Sequence, residues 1–358
     1  MSSVSISLTG ESRRYDVLVG AGISADARGH QHGRDRVAVL ADRRVTALHG
    51  PLLDGAPTLE VEAGESLKTM DGLGRALEFC AASGLSRRSL LIAYGGGTVG
   101  DLGGLAASLF KRGIDVLQVP TTLLAQVDAS VGGKTAINLP SGKNLAGTFH
   151  QPAGVLCDTN LLVTLDDAEL SSGLGEVIKT AIIGGDETLT LVERLTPQLL
   201  DRDPAALAEI VEACVRVKAR VVLSDHEERG PRRVLNLGHT FAHAIEHAAG
   251  FGAVPHGVAV GVGLALAAHA SERTLGAPGS LTERTVRLLD RAGLPCSLEA
   301  LREAYGLAGQ LTPAALRDGL NHDKKGQVGA PEFVLARGEG DVIMGLHLGE
   351  DLLSELLA

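Results

Sequence analysis

Three histidines at intervals of four, His239, His243 and His247, sit in the stretch LNLGHTFAHAIEH that begins at Leu235, and His256-Gly257 follows within a short loop. On a helix, positions i, i+4 and i+8 fall along one stripe, so these imidazoles are expected to project the same way. A face carrying several imidazoles can hold a divalent metal among nitrogen and oxygen ligands, or move protons near neutral pH. Glu176 and Lys179 lie three apart on a predicted helix and share a face. Such a pair is ordinarily a surface ion pair worth little, but here it lies in the apolar stretch GLGEVIK from Gly173. One carboxylate with His239 and His256 would complete a three-ligand zinc site open to substrate oxygens. Core or surface histidines are the alternative, because spacing alone does not pair ligands from separated segments.

Two further segments suit anions. Gly95-Gly96-Gly97-Thr98-Val99-Gly100-Asp101 follows an apolar strand and opens a helix, where free N–H groups and bare backbone can approach a pyrophosphate. It lacks the G-x-G-x-x-G fingerprint, and a Gly-rich reversing turn explains it as well. Asp42, just past an earlier strand, stands where a carboxylate could take ribose hydroxyls; a solvated loop aspartate is the plainer explanation. The run from Gln118 to Asn144 holds Thr121, Thr122, Asp128, Gly132, Gly133, Lys134, Lys143 and Asn144. Its cations, backbone donors and amide can surround a phosphate. It differs from a P-loop, since Gly132-Gly133-Lys134-Thr135 lacks the first glycine at the required distance. The small, apolar neighbours of these lysines suggest a lined cleft in place of a surface pair.

The elements that must position these groups change character along the chain. Strands over 4–8 and 15–19 suit a hairpin, and strands at 37–40, 90–94 and 115–119 alternate with helices at 66–83 and 100–111. That order implies a parallel sheet with helices on both faces. From about residue 160 the periodicity is helical: 165–183, 189–200, 205–223, 239–249, 258–274 and 281–292. The expected architecture is an α/β nucleotide-binding domain over 1–160 and a mainly α-helical domain over 161–358. With 358 residues the chain has room for two cores. A net charge of -10 and the absence of Trp argue against a nucleic-acid partner. Cys80, Cys157, Cys214 and Cys296 are far apart, as expected of reduced thiols in a cytoplasmic protein. The run 257–268 is too short to span a bilayer and no secretory leader is visible, so no membrane association is expected.

Together these segments resemble the 3-dehydroquinate synthase family of sugar-phosphate cyclases. The resemblance rests on GGGTVGDLGG from Gly95, KRG from Lys111, QVPTTLLAQVDASVGGKTAINLPSGKN from Gln118, GLGEVIK, LNLGHTFAHAIE, the HG at His256 and DKK from Asp323. It covers nearly the whole chain in the expected order. It implies NAD and one divalent metal, usually zinc with cobalt as the alternative, and a small phosphorylated sugar acid as substrate. Glu176, His239 and His256 match the family's metal ligands. Asp42, Glu65, Lys68, Gly96, Gly97, Asp101, Thr121, Thr122 and Lys143 match positions that hold NAD. Asp128, Lys134, Asn144, Lys179, Asn236 and His243 match the substrate pocket. Arg112 matches an arginine that reaches the neighbouring subunit's phosphate site, which implies a homodimer. Lys324 or Lys325 supplies a further cation, and His247 matches no role and reads as structural.

The resemblance also bears on the substrate. Lys218 and Arg232 match positions that bind a substrate carboxylate; cyclases of sedoheptulose 7-phosphate have none to bind and would leave such cations uncompensated. This favours 3-deoxy-D-arabino-heptulosonate 7-phosphate, converted to 3-dehydroquinate and phosphate in the shikimate pathway. An amino-substituted analogue carries the same carboxylate, so an aminodehydroquinate synthase stays open. Family members usually read His-Gly-Glu after the last ligand where this chain has His256-Gly257-Val258, which could remove a group near the metal. A metal-dependent polyol dehydrogenase and a non-catalytic binding protein are the rivals from other classes.

Overall fold

Leu90-Leu-Ile-Ala-Tyr-Gly95 is apolar at every position, and every position is buried. A strand covered on both faces needs no polar side, which is the mark of the interior of a parallel sheet. In the computed structural model, which describes residues 3–9, 14–250, 252–322 and 331–358, contacts divide the chain into two units. The first comprises Met1–Asp166 and Arg202–Glu227, the second Asp167–Asp201 and Glu228–Ala358. Lys324 and Lys325 lie outside the described residues.

The first unit opens with β1 (Val4–Thr9) and β2 (Arg14–Gly20), an antiparallel pair in the expected place. Then come β3 (Val37–Asp42), α1 (Arg43–His49), β4 (Thr58–Val61), α2 (Met70–Ala82), β5 (Leu90–Gly95), α3 (Gly97–Leu109) and β6 (Asp115–Pro120). A hairpin of β7 (Lys134–Leu139) and β8 (Gly142–Phe149) precedes β9 (Gly154–Asp158). The main sheet has the order β1-β2-β9-β6-β5-β3-β4, parallel from β2 to β4. Along β5, Leu91 and Ala93 join the core packed with Leu73, Ala76, Leu102 and Ala106 of α2 and α3. Leu90, Ile92 and Tyr94 join the core on the other face, with Ile23 and Val45. The helix expected over 66–83 is split, a 3-10 turn over Glu65–Leu67 preceding α2, because Thr69 caps α2 by accepting from Gly72 N.

The second unit holds α4 (Asp167–Gly184) and α5 (Asp186–Leu200). The chain then returns to the first unit for α6 (Pro204–Ser224), which packs on β1 and β2. The second unit resumes with α7 (His239–Ala249), α8 (His256–Leu275), α9 (Gly279–Arg291), α10 (Leu298–Tyr305) and α11 (Pro313–His322). It ends with β10 (Phe333–Gly338), β11 (Asp341–Leu346) and α12 (Glu350–Leu357). This is the α/β-then-helical order expected, with an antiparallel β10–β11 hairpin added to the helical part. Helix α8 is buried over most of its length and packs on α4, α7, α9, α12 and β10. No described helix is long and apolar enough to cross a membrane.

Candidate active site

Two helix crossings of unusual closeness build the second unit's polar centre. A Cβ on Gly175 would lie 1.8 Å from Gly257 O, and one on Gly257 would lie 1.7 Å from Ser172 O. Only bare backbone permits that approach of α4 to α8, and Gly257 N also donates to Ser172 Oγ at 3.2 Å. At the second crossing, a Cβ on Gly263 of α8 would lie 2.2 Å from Gly238 O, just before α7. Gly238 itself has φ 78°, a left-handed turn that suits glycine.

Those crossings bring Glu176 of α4, His239 of α7 and His256 of α8 together, with one ligand atom from each within 4.8 Å of the others. Glu176 Oε1 lies 3.5 Å from His239 Nε2 and 3.4 Å from His256 Nε2. Zinc bonds of about 2.0–2.1 Å at tetrahedral angles set neighbouring donors about 3.3 Å apart, so the donor set and its spacing fit such an ion. Glu176 Oε2 contacts Lys179 Nζ, while Oε1 is the oxygen that faces both rings. Glu176 is fully buried and Lys179 is 1% exposed. His239 Nδ1 faces Leu237 O at 3.2 Å, which assigns its proton there and its lone pair to Nε2.

The two rings are shifted in opposite directions. Burial, reinforced by the Lys179 charge and opposed by Glu176, pushes His239 down to about 3. Burial also works against a charge on His256, but hydrogen bonds and charges from Glu176 and Glu246 outweigh it and raise that ring to about 10. Glu246 was not singled out from the sequence. His247 was, but its ring turns to Asp318, with Nε2 3.4 Å from Oδ2, and away from the stripe expected of it. The helical period of 100° per residue explains both: position 246 returns to within about 20° of His239, while 247 stands about 80° off. His243 stays close, its ring centroid 5.7 Å from that of His239. His256 is the first residue of α8, not part of the preceding loop. Asn236 Nδ2 donates to Glu228 Oε1 at 3.2 Å, and Arg232, in the 3-10 turn Pro231–Asn236, is 2% exposed.

In the first unit several of the expected cofactor residues form one network. Lys68 Nζ, 3% exposed as a residue, lies 2.6 Å from Asp101 Oδ2 and 2.5 Å from Asn144 Oδ1. Asn138 joins them: its Nδ2 donates to Glu65 Oε2 at 2.6 Å and its Oδ1 accepts from Asn144 N at 2.9 Å. Burial raises the Asp101 carboxyl, with Lys68 opposing. Gly96 and Gly97 open α3 in ordinary backbone regions, so close approach is what requires them. A Cβ on Gly96 would sit 3.0 Å from Thr122 Cγ2, and one on Gly97 3.3 Å from Ala129 Cβ. Thr121 N donates to Gly95 O at 3.0 Å, tying the two segments at the ends of β5 and β6. Asp42 ends β3 and caps α1, accepting from Arg44 N at 2.9 Å; burial raises its carboxyl.

Asp128 and Lys218, expected to hold different parts of a substrate, contact each other: Lys218 Nζ meets the Asp128 carboxylate and donates to its carbonyl at 2.5 Å. Asp128 sits in a π-helical turn, Ala125–Ala129, against which α6 packs. The lysines of the anion-binding run occupy the β7–β8 hairpin. Lys134 is exposed and Lys143 half-buried, so within this unit the hairpin presents them and does not enclose them in the lined cleft expected. Arg112 is also exposed, and it follows Lys111 in left-handed backbone (φ 69° and 50°), a region that few non-glycine residues adopt.

Family models of the N-terminal and C-terminal parts of 3-dehydroquinate synthase match residues 58–172 and 173–326. A 3-dehydroquinate synthase from Caulobacter vibrioides is 43% identical over 96% of this chain and 95% of its own length. Among solved structures, 2-deoxy-scyllo-inosose synthase with carbaglucose-6-phosphate, NAD+ and Co2+ superposes with TM-score 0.87 at 25% identity, covering 99% of each chain. The 2-epi-5-epi-valiolone synthase of Streptomyces hygroscopicus subsp. jinggangensis 5008, with NAD+ and Zn2+, gives 0.85 at 27% identity, covering 98% of each. The class is that of the sugar-phosphate cyclases, enzymes that act on phosphorylated sugars. Within it, the chain belongs to the 3-dehydroquinate synthase family.

Proposed function

We propose that this enzyme converts 3-deoxy-D-arabino-heptulosonate 7-phosphate to 3-dehydroquinate and phosphate, using NAD and one divalent metal, zinc in the first place and cobalt as a substitute. The observation that carries the reading is the convergence of Glu176, His239 and His256 at zinc-ligand spacing, in a chain 43% identical to a synthase over nearly its full length. A metal held by Glu176, His239 and His256 would supply polarisation of the oxygen of the alcohol being oxidised, and NAD would supply a hydride acceptor that is regenerated in each cycle.

The chain's own residues bind and orient. The first unit is the NAD-binding part, with Asp42, Glu65, Lys68, Gly96, Gly97, Asp101, Thr121, Thr122 and Lys143 as cofactor contacts. The second unit carries the metal ligands, and the substrate contacts are shared between the two units. Lys179 and Asp128 hold the substrate's ring hydroxyls, and His243 holds or moves a proton beside the metal ligands. Lys134, Asn144, Asn236, one of Lys324 and Lys325, and the partner subunit's Arg112 fix the phosphate that leaves. The last contact makes the working enzyme a homodimer. Lys218 and Arg232 take the substrate carboxylate. Both are buried, at 6% and 2% exposure, and Lys218 also meets the Asp128 carboxylate. Buried free thiols at Cys80, Cys157 and Cys214 fit a cytoplasmic enzyme.

Incubating the purified protein with the heptulosonate phosphate, NAD and zinc tests this directly. Phosphate release without net NADH is expected; accumulating NADH would identify a polyol dehydrogenase instead. Running the amino-substituted substrate alongside decides between the two carboxylate-bearing substrates, with faster turnover of the plain one expected.

A further inference from the structure

The two histidines of the metal-ready cluster are anchored differently. His239 is held through Nδ1 by a carbonyl of its own segment, Leu237 O at 3.2 Å. His256 has no such local anchor: it begins α8, and its side chain is 35% exposed against 11% for His239. Its Nδ1 meets a carboxylate from another helix, Glu246 Oε1 of α7, at 3.4 Å. Glu246 is 4% exposed, a costly place for a carboxylate that does nothing.

We propose that Glu246 is a positioning residue for the metal centre, holding the His256 N–H at Nδ1 so that Nε2 faces Glu176 Oε1 and is the nitrogen left to bind the metal. The inference rests on the metal reading above and deepens it. The two nitrogens of an imidazole diverge, so a carboxylate at Nδ1 stands behind the ring and is not itself a ligand beside Glu176. Its effects are to fix tautomer and ring orientation and to raise the ring's basicity toward the metal. Because Glu246 shares α7 with His239, it also ties the helix carrying one ligand to the ring of the other. A merely structural ion pair would support α7 against α8 without touching metal affinity.

The test is Co2+ titration of the metal-free protein, read by its visible absorption bands under a competing chelator. Wild type, Glu246→Gln and a control, Glu193→Gln, are compared, the control weakening the Arg284 ion pair elsewhere in the same unit. Glu246→Gln is expected to bind Co2+ roughly 10–100-fold more weakly with shifted bands, while Glu193→Gln matches wild type. Should the glutamine variant not fold, Glu246→Asp carries the same comparison, withdrawing the carboxylate by one methylene. Wild-type affinity and bands in the Glu246 variant would overturn its role and leave the metal centre standing. A wild type that binds no Co2+ would overturn both.

Discussion

Lys179 is buried against Glu176 deep in the second unit, and interior ion pairs rarely repay their desolvation unless something else uses them. Replacing Glu176 by Gln removes the carboxylate charge beside that lysine. Urea unfolding of the metal-free variant should show a loss of about 3–5 kcal/mol, as for other broken interior pairs. His256→Ala should cost metal and activity together, which metal analysis of the purified variant would check; a variant retaining both would remove His256 from the ligand set. The thiols give a separate expectation. Burial raises Cys80 to about 11 and Cys157 further still, so a thiol reagent at pH 8 should modify Cys80 and Cys157 only after unfolding. At this scale the proposed ligands were legible because Glu, His and His stand in distinctive motifs. Glu246 was missed because counting in fours follows the helix less faithfully than its true period, and because a carboxylate behind a ring leaves no motif.

Helix crossings, more than helix sequences, set the distances between the three proposed ligands. Gly257→Ala would drive a methyl group into Ser172 O and should part α4 from α8, lowering both the melting temperature and zinc affinity; overpacking of this kind costs about 1–3 kcal/mol or more. Gly74→Ala is the contrast, since Gly74 lies exposed within α2 with nothing within 4 Å of its Cβ position. That change should stabilise by about 0.5–1 kcal/mol in the same unfolding assay. The central strands and long helices were readable from periodicity, because burial on one or both faces writes itself into composition. The β7–β8 and β10–β11 hairpins were not. The first reads as an anion-binding run because its small residues and lysines mask the alternation, and a Cβ on Gly147 would press on Thr135 O at 2.2 Å across the strand pair.

For the molecule as a whole, an ion held by α4, α7 and α8 should stabilise the folded state by mass action, about 2.7 kcal/mol at a hundredfold excess over its dissociation constant. Chelation should reverse that gain, and hydrogen exchange should slow on zinc addition first in those three helices; uniform change or none would count against the assigned centre. The division of the chain was the least legible feature. A single boundary near 160 assigned α6 to the helical part, yet its buried face of Leu207, Ile210, Val211 and Cys214 packs with the first unit. Periodicity tells that a helix is amphipathic but not which partner its apolar face meets. The polypeptide consequently passes between units after Asp166, Asp201 and Glu227. A chimera made from two homologous genes with one breakpoint in residues 167–201 would join the sheet of one parent to α6 of the other. Those two pieces, separated in the gene, must therefore be inherited together, and a graft that exchanges one whole unit needs junctions after Asp166, Asp201 and Glu227.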